Sequence, residues 1–191
     1  PLCKGGGALS EEMLVKHCSP TLAGMKTGSM FVCRYDSVNE MRNSVRQWNR
    51  TLASKGLRVL PLRFNEKSAL IYIYRPTKLK QDLTDETACH ILRERGYITE
   101  TPERCIVRLI KRMAEYEVFP HEIGLFLGYP PEDVCGFIEN KACNCKCCGC
   151  WKVYSDAETA QKTFAKYKKC TEVYCSQYAN GKSIERLTVA G

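Results

Sequence analysis

Five cysteines crowd into eight residues of the segment CNCKCCGCW: Cys143, Cys145, Cys147, Cys148 and Cys150. Thiols this dense cross-link, hold a metal or stay reduced, and the rest of the chain decides among the three. The chain has 13 cysteines in 191 residues, an odd number, so complete internal pairing is impossible. A chain of this length buries a core without cross-links. No charged segment followed by an apolar one opens the sequence, and no apolar stretch reaches the length of a membrane span. These features predict a cytoplasmic, reducing location, where clustered cysteines point to metal or redox chemistry rather than to structural disulfides.

The spacing within the cluster has a physical meaning. In C-x-x-C a tight turn lets two sulfurs face one ion. Cys145/Cys148 and Cys147/Cys150 both have that spacing, and Gly149 favours the turn. Cys170 and Cys175 lie about twenty residues further on. Together they resemble a zinc-ribbon framework, with C-x4-C as the second pair. The predicted metal ligands are Cys145, Cys147, Cys148, Cys150, Cys170 and Cys175, and the donors suit zinc or an iron–sulfur cluster equally. Lys141, Lys146, Lys152, Lys168 and Lys169 flank these cysteines and offset thiolate charge. A redox-active dithiol and inert reduced thiols are the alternatives.

Elsewhere the sequence alternates helix and strand signals. Residues 1–9 read as a flexible Gly-rich segment, and 10–191 as a single α+β domain with the Cys-rich loop at 143–150. Ser10 caps a first short helix, and Ser19-Pro20 starts a second that Gly28 ends. SMFVCRY reads as a strand. Ser37 and Glu40 form a capping box for a helix with an apolar stripe of Val38, Met41, Val45, Trp48 and Leu52. LRVLPLRF and ALIYIYRP form a β-hairpin about NEKS, with Pro61 marking an edge strand or a bulge. The second half is mostly helical, with caps at Thr84, Thr101 and Ser155 and a short strand WKVYS after the cluster. One helix is expected to end at Cys170 and turn the chain back to the cluster. The fold class is therefore α+β: a small sheet with a hairpin, a mostly helical second half and a Cys-rich metal-binding loop.

Three further patterns carry possible chemistry. If a helix begins at Pro20, Cys18 precedes its N-terminus and its thiol pKa is lowered, which makes Cys18, beside His17, the candidate catalytic residue of a thiol enzyme. The competing reading is a buried thiol beside a satisfied histidine. LAGMKTG lacks the full phosphate-loop pattern, and HEIGL lacks the second histidine of a zinc protease, since Leu125 occupies that position. Residues 120–140 have a helix-turn-helix outline, and the net charge of +8 encourages it. Glu132 and Asp133 lead the second helix, however, and would be repelled by phosphate, so nucleic acid is disfavoured as a partner.

The blocks HCSPTLAGMKTGSMF, KGLRVLPLR, ALIYIYRP, FPHEIGLFLGYPPEDVCGFIEN and CGCWKVYSD, with GKSIERLTV near the end, resemble an uncharacterised "domain of unknown function" family of anaerobic bacteria. The resemblance runs from about residue 12 to the C-terminus and leaves out PLCKGGG. It brings no activity or catalytic residue. It implies gene neighbourhoods with flavodoxin and ferrous-iron transport, and so iron handling or electron transfer with a flavodoxin-like or other acidic redox partner. A zinc-stabilised regulatory or interaction module and a thiol enzyme are the other function classes.

Overall fold

The structure is a computed structural model that describes residues 9–115 and 119–191. In chain order the elements are α1 (Glu11–Leu22), β1 (Gly28–Arg34), α2 (Val38–Leu52), β2 (Arg58–Phe64), β3 (Ser68–Tyr74), α3 (Pro76–Asp82), α4 (Glu86–Glu94), α5 (Pro102–Glu115), α6 (Ile123–Phe126), α7 (Pro131–Glu139), β4 (Cys147–Cys148), β5 (Lys152–Val153), α8 (Ala157–Ala179) and α9 (Ile184–Leu187). The class is α+β, as the sequence predicts. The described residues fall into two compact units, one from 9–75 with 170–191 and one from within 76–169. Most of the flexible segment expected at 1–9 lies outside the described residues. Leu9 is buried in the core, and its carbonyl accepts a hydrogen bond from Trp48 Nε1 at 2.6 Å.

The first unit is built on an antiparallel sheet in the order β1-β3-β2. β3 is buried along Ala69–Tyr74, so its near-continuous apolar run is that of a strand covered on both faces. Pro61 lies in the outer strand β2, where the register shifts between Pro61 and Arg63, so the proline marks both an edge and a bulge. Met41, Val45 and Leu52 of α2 are buried and Trp48 is half-buried, whereas Val38 is exposed. Ser37 makes no capping hydrogen bond.

The helix expected to start at Pro20 does not form. α1 runs through Pro20 to Leu22 and stops two residues later. Met25 N–H donates to the Pro20 carbonyl and Gly24 N–H to that of Thr21, with Gly24 at φ 74°. This is a Schellman stop, which requires the left-handed backbone that glycine adopts without penalty. Arg75, the residue after β3, reinforces it. Its guanidinium, 3% exposed, donates to the carbonyls of Thr21 (2.8 Å), Leu22 (2.8 Å), Val189 (2.7 Å) and Lys55 (3.3 Å). Two of those carbonyls end α1, where a cation also suits the helix dipole.

In the second unit Asp85, rather than Thr84, caps α4, accepting from Ala88 N–H at 3.0 Å. Asp156, rather than Ser155, opens α8, accepting from the N–H groups of Glu158 and Thr159. The helix does not end at Cys170. It continues for 23 residues to Ala179, through both Cys170 and Cys175. The Glu122 carboxylate is 1% exposed and turns inward, accepting from Arg112 Nε at 2.7 Å and Tyr97 OH at 2.9 Å, with Arg95 Nε at 3.7 Å. No helix among the described residues is long and apolar enough to cross a membrane.

Candidate functional site

The cysteine cluster forms a small hairpin in the second unit, and residues outside the cluster position it. β4 and β5 pair antiparallel, Cys147 opposite Val153 and Cys148 opposite Lys152. Asp133 of α7 fastens the hairpin. Its Oδ1 accepts from the N–H groups of Tyr154 and Ser155 and from Ser155 Oγ, each at 2.8 Å, and its Oδ2 accepts from Trp151 Nε1 at 2.7 Å. Burial alone would raise the Asp133 pKa. The four donated hydrogen bonds outweigh burial and hold it below the usual aspartate value.

Aromatic packing completes the clamp. Trp151 stacks on Tyr129 at 5.0 Å and meets Phe164 edge-on at 4.5 Å. Two glycines permit the close approach. A β-carbon at Gly136 would lie 2.5 Å from Tyr154 Cβ, and one at Gly149 would overlap the Phe164 ring. Lys146 donates to the Ser155 carbonyl and Lys152 to that of Ala142, so both lysines pin backbone.

The approach to the hairpin is strained. Lys141, Ala142 and Asn144 all have left-handed backbone, with φ of 50°, 62° and 59°. Each costs about 1–2 kcal/mol for a residue with a β-carbon. Ala142→Gly should therefore raise stability by about 0.5–1 kcal/mol, after about 0.4–1 kcal/mol is lost to the freer unfolded chain. A shift of the urea midpoint to higher concentration at unchanged slope would verify this.

The fold sorts the five thiols into different surroundings. Cys143, Cys145 and Cys148 lie within electrostatic reach of the Tyr154 hydroxyl, whose pKa rises through desolvation and then through these thiols and Asp133. That hydroxyl oxygen is shielded from solvent and has no hydrogen-bond partner among the described residues. Cys150 faces Tyr129 and Tyr167, whose hydroxyls burial, and then the Cys150 thiol, push up to about 12. Cys147 packs against the small core of Trp151, Val153 and Ala160. So Cys145/Cys148 share an environment, whereas Cys147/Cys150 are divided.

Cys170 is buried and Cys175 packs against the core of the first unit. Five residues apart on one helix, they project about 140° apart, so they do not form a chelating pair like C-x-x-C. Among the described residues no three His, Cys, Asp or Glu side chains are already gathered to hold a metal ion. No disulfide joins the cysteines of these residues.

Cys18 sits inside α1, fully buried. Burial pushes its thiol up to about 12, against smaller opposing effects of Lys26 and Ser29. The activation expected from a helix N-terminus at Pro20 is absent because that N-terminus does not exist. His17 stacks on Phe31 at 5.0 Å, and the partial burial this gives its ring, followed by the charge of Lys16, lowers its pKa.

The helix-turn-helix outline also changes in three dimensions. α6 is a single turn, and α7 packs against both α4 and β5. Asp133 turns to the hairpin and not to solvent. The sequence places Asp133 at the head of a helix and shows neither its buried role nor that of Glu122. Their one local signal is a carboxylate beside strongly apolar runs.

A cysteine-rich hairpin fastened by a buried carboxylate and an aromatic clamp is the candidate site of this α+β protein. Residues 14–188 match the profile of the family described as Protein of unknown function (DUF3793), and the chain belongs to that family. No curated protein and no solved structure matches the chain.

Proposed function

We propose that the hairpin is a thiolate metal site, for zinc or an iron–sulfur cluster, and that the protein acts in iron handling or electron transfer. One observation carries the reading: Cys143, Cys145 and Cys148 lie within electrostatic reach of a shielded Tyr154 hydroxyl that lacks a hydrogen-bond partner among the described residues. An orphaned buried hydroxyl calls for an explanation, and an ion drawn in by three thiolates supplies one. The phenol would donate a hydrogen bond to a bound thiolate, as outer partners of metal ligands commonly do. The thiols are not preassembled, so binding entails side-chain rotation, for which the exposure of Cys143 and Cys148 leaves room. The left-handed backbone at Lys141, Ala142 and Asn144 points the same way, since stored backbone strain clusters at ligand clamps. The net charge of +8 suits an acidic redox protein as partner.

The experiment is anaerobic purification, metal and labile-sulfide analysis and a visible spectrum. Iron with labile sulfide and broad visible absorption identifies a cluster; colourless zinc-loaded protein identifies a zinc site. The variant carrying Cys145→Ser and Cys148→Ser should lose its metal to background with its helical circular dichroism intact, because the Asp133 clamp and aromatic core persist. Cys147→Ser should keep its metal. Metal-free wild-type protein, or full metal retention by the double variant, refutes the proposal.

A further inference from the structure

We propose that the cavity bounded by α6, α7 and the cysteine hairpin binds a small planar aromatic molecule carrying one anionic group. The cavity lies wholly within the second unit and has a volume of about 310 Å³, enough for a compact ligand of one or two rings. Phe119, Tyr129, Phe137 and Trp151 line it, and this aromatic wall favours a flat, apolar body that stacks. His121 and Lys152 supply its basic groups. Lys152 gives one N–H to the Ala142 carbonyl at 2.7 Å and lies 5.9 Å from the Phe137 ring centre. An ammonium has three donors, so this bond orients the lysine and leaves donors for a second acceptor. His121 meets Phe137 edge-on at 5.1 Å.

Asp133 also lines the cavity, and its charge would oppose an anion at close range. Both of its oxygens already accept hydrogen bonds from the hairpin, which draws that charge toward Trp151, Tyr154 and Ser155. The remaining titratable wall groups are Cys148, an exposed thiol, and Tyr129, whose phenol burial pushes up to about 12 and keeps neutral. An apolar chamber with two basic groups is therefore matched to an aromatic acid rather than to a cation or a sugar. The proposal does not rest on the metal reading, because the wall is held by the Asp133 clamp and the aromatic packing.

The test is calorimetric titration of the full chain with naphthoate and with naphthalenemethanol, which share a ring system and differ in charge. One naphthoate should bind per chain, at least about tenfold more tightly than the alcohol, equivalent to about 1.4 kcal/mol. Ile123, at the start of α6, lines the same space. Ile123→Trp should fill it and abolish binding of both compounds. Lys152→Gln should weaken naphthoate about tenfold and leave the alcohol unchanged, and Lys152→Arg should restore the acid. His121→Ala should show the same selectivity with a smaller loss. No saturable binding by the wild-type chain, equal affinity for acid and alcohol, or undiminished binding by folded Ile123→Trp would overturn the proposal. The wild-type comparison decides even if a variant fails to fold.

Discussion

Replacing Glu122 with Ala should cost about 3–5 kcal/mol, the range for removing one partner of a buried ion pair. The carboxylate receives Arg112 at 2.7 Å and Tyr97 at 2.9 Å, with Arg95 at 3.7 Å, and is 1% exposed. Both arginine side chains are themselves largely covered, at 19% and 21% exposure. Truncation leaves a mostly desolvated guanidinium without its carboxylate and the Tyr97 hydroxyl without its acceptor. Set against a total stability of about 5–15 kcal/mol for an ordinary domain, that is about a fifth or more. Glu122→Gln keeps an acceptor for Tyr97 and loses only the charge, so it should cost less. The pair Glu122→Leu with Arg112→Met should recover part of the loss, because it removes the Arg112 charge along with its partner but leaves the Tyr97 hydroxyl and Arg95 without theirs. Urea unfolding of the three variants provides the measurement. A loss below about 1 kcal/mol for Glu122→Ala, which is typical of an exposed pair, would mean that water reaches the site.

Asp133→Ala should be nearly as costly, at about 3–4 kcal/mol. It strands the N–H groups of Tyr154 and Ser155 and the Trp151 indole, each worth about 1–3 kcal/mol when buried without a partner. Partial access of water to the opened hairpin keeps the total below their sum. Asp133→Asn should lose less, since an amide oxygen still serves Tyr154 and Ser155 while its NH₂ opposes the Trp151 N–H. The pH dependence has a definite sign. The folded-state pKa is lowered, so this stabilisation is fully present above the unfolded value of about 3.9 and is lost as pH falls through the lower folded value. In a Trp48→Phe background the remaining Trp151 reports the hairpin alone. Its fluorescence should change on acidification below about pH 4 in the parent, and the acid step should vanish in Asp133→Ala. An identical acid step in both proteins would sink the assignment.

Neither carboxylate role could be read from its neighbours in sequence. Glu122 begins a helical signal and Asp133 occupies a first turn, and both positions explain an acidic residue well enough on their own. What distinguishes them is burial against Arg112 and Tyr97 in one case and Trp151 in the other, contacts between residues ten to twenty-five apart. By spacing the sequence paired Cys145 with Cys148 and Cys147 with Cys150 as equivalent C-x-x-C units and left Cys143 aside. The pleat of β4 and the curl of the backbone at 141–144 instead divide them among Tyr154, Tyr129 with Tyr167, and the core of Trp151.

By itself the sequence determined the local architecture that depends on neighbouring residues. The β2–β3 hairpin, the bulge at Pro61, the apolar stripe of α2 from Met41 to Leu52 and the Ser10 cap all follow from period, turn chemistry and proline geometry. Tertiary structure alone decided where helices begin and end when signals conflict. Ser19-Pro20 satisfies the rule for a helix start, yet α1 passes through it, because Cys18 and Leu22 gain more by burial in the core, and Gly24 with Arg75 closes the end beyond them. α8 likewise runs on past Cys170, which is buried. Propensity and capping are worth about 1 kcal/mol each, whereas burial of one large apolar side chain is worth about 1.5–3 kcal/mol, so long-range packing prevails wherever the two disagree.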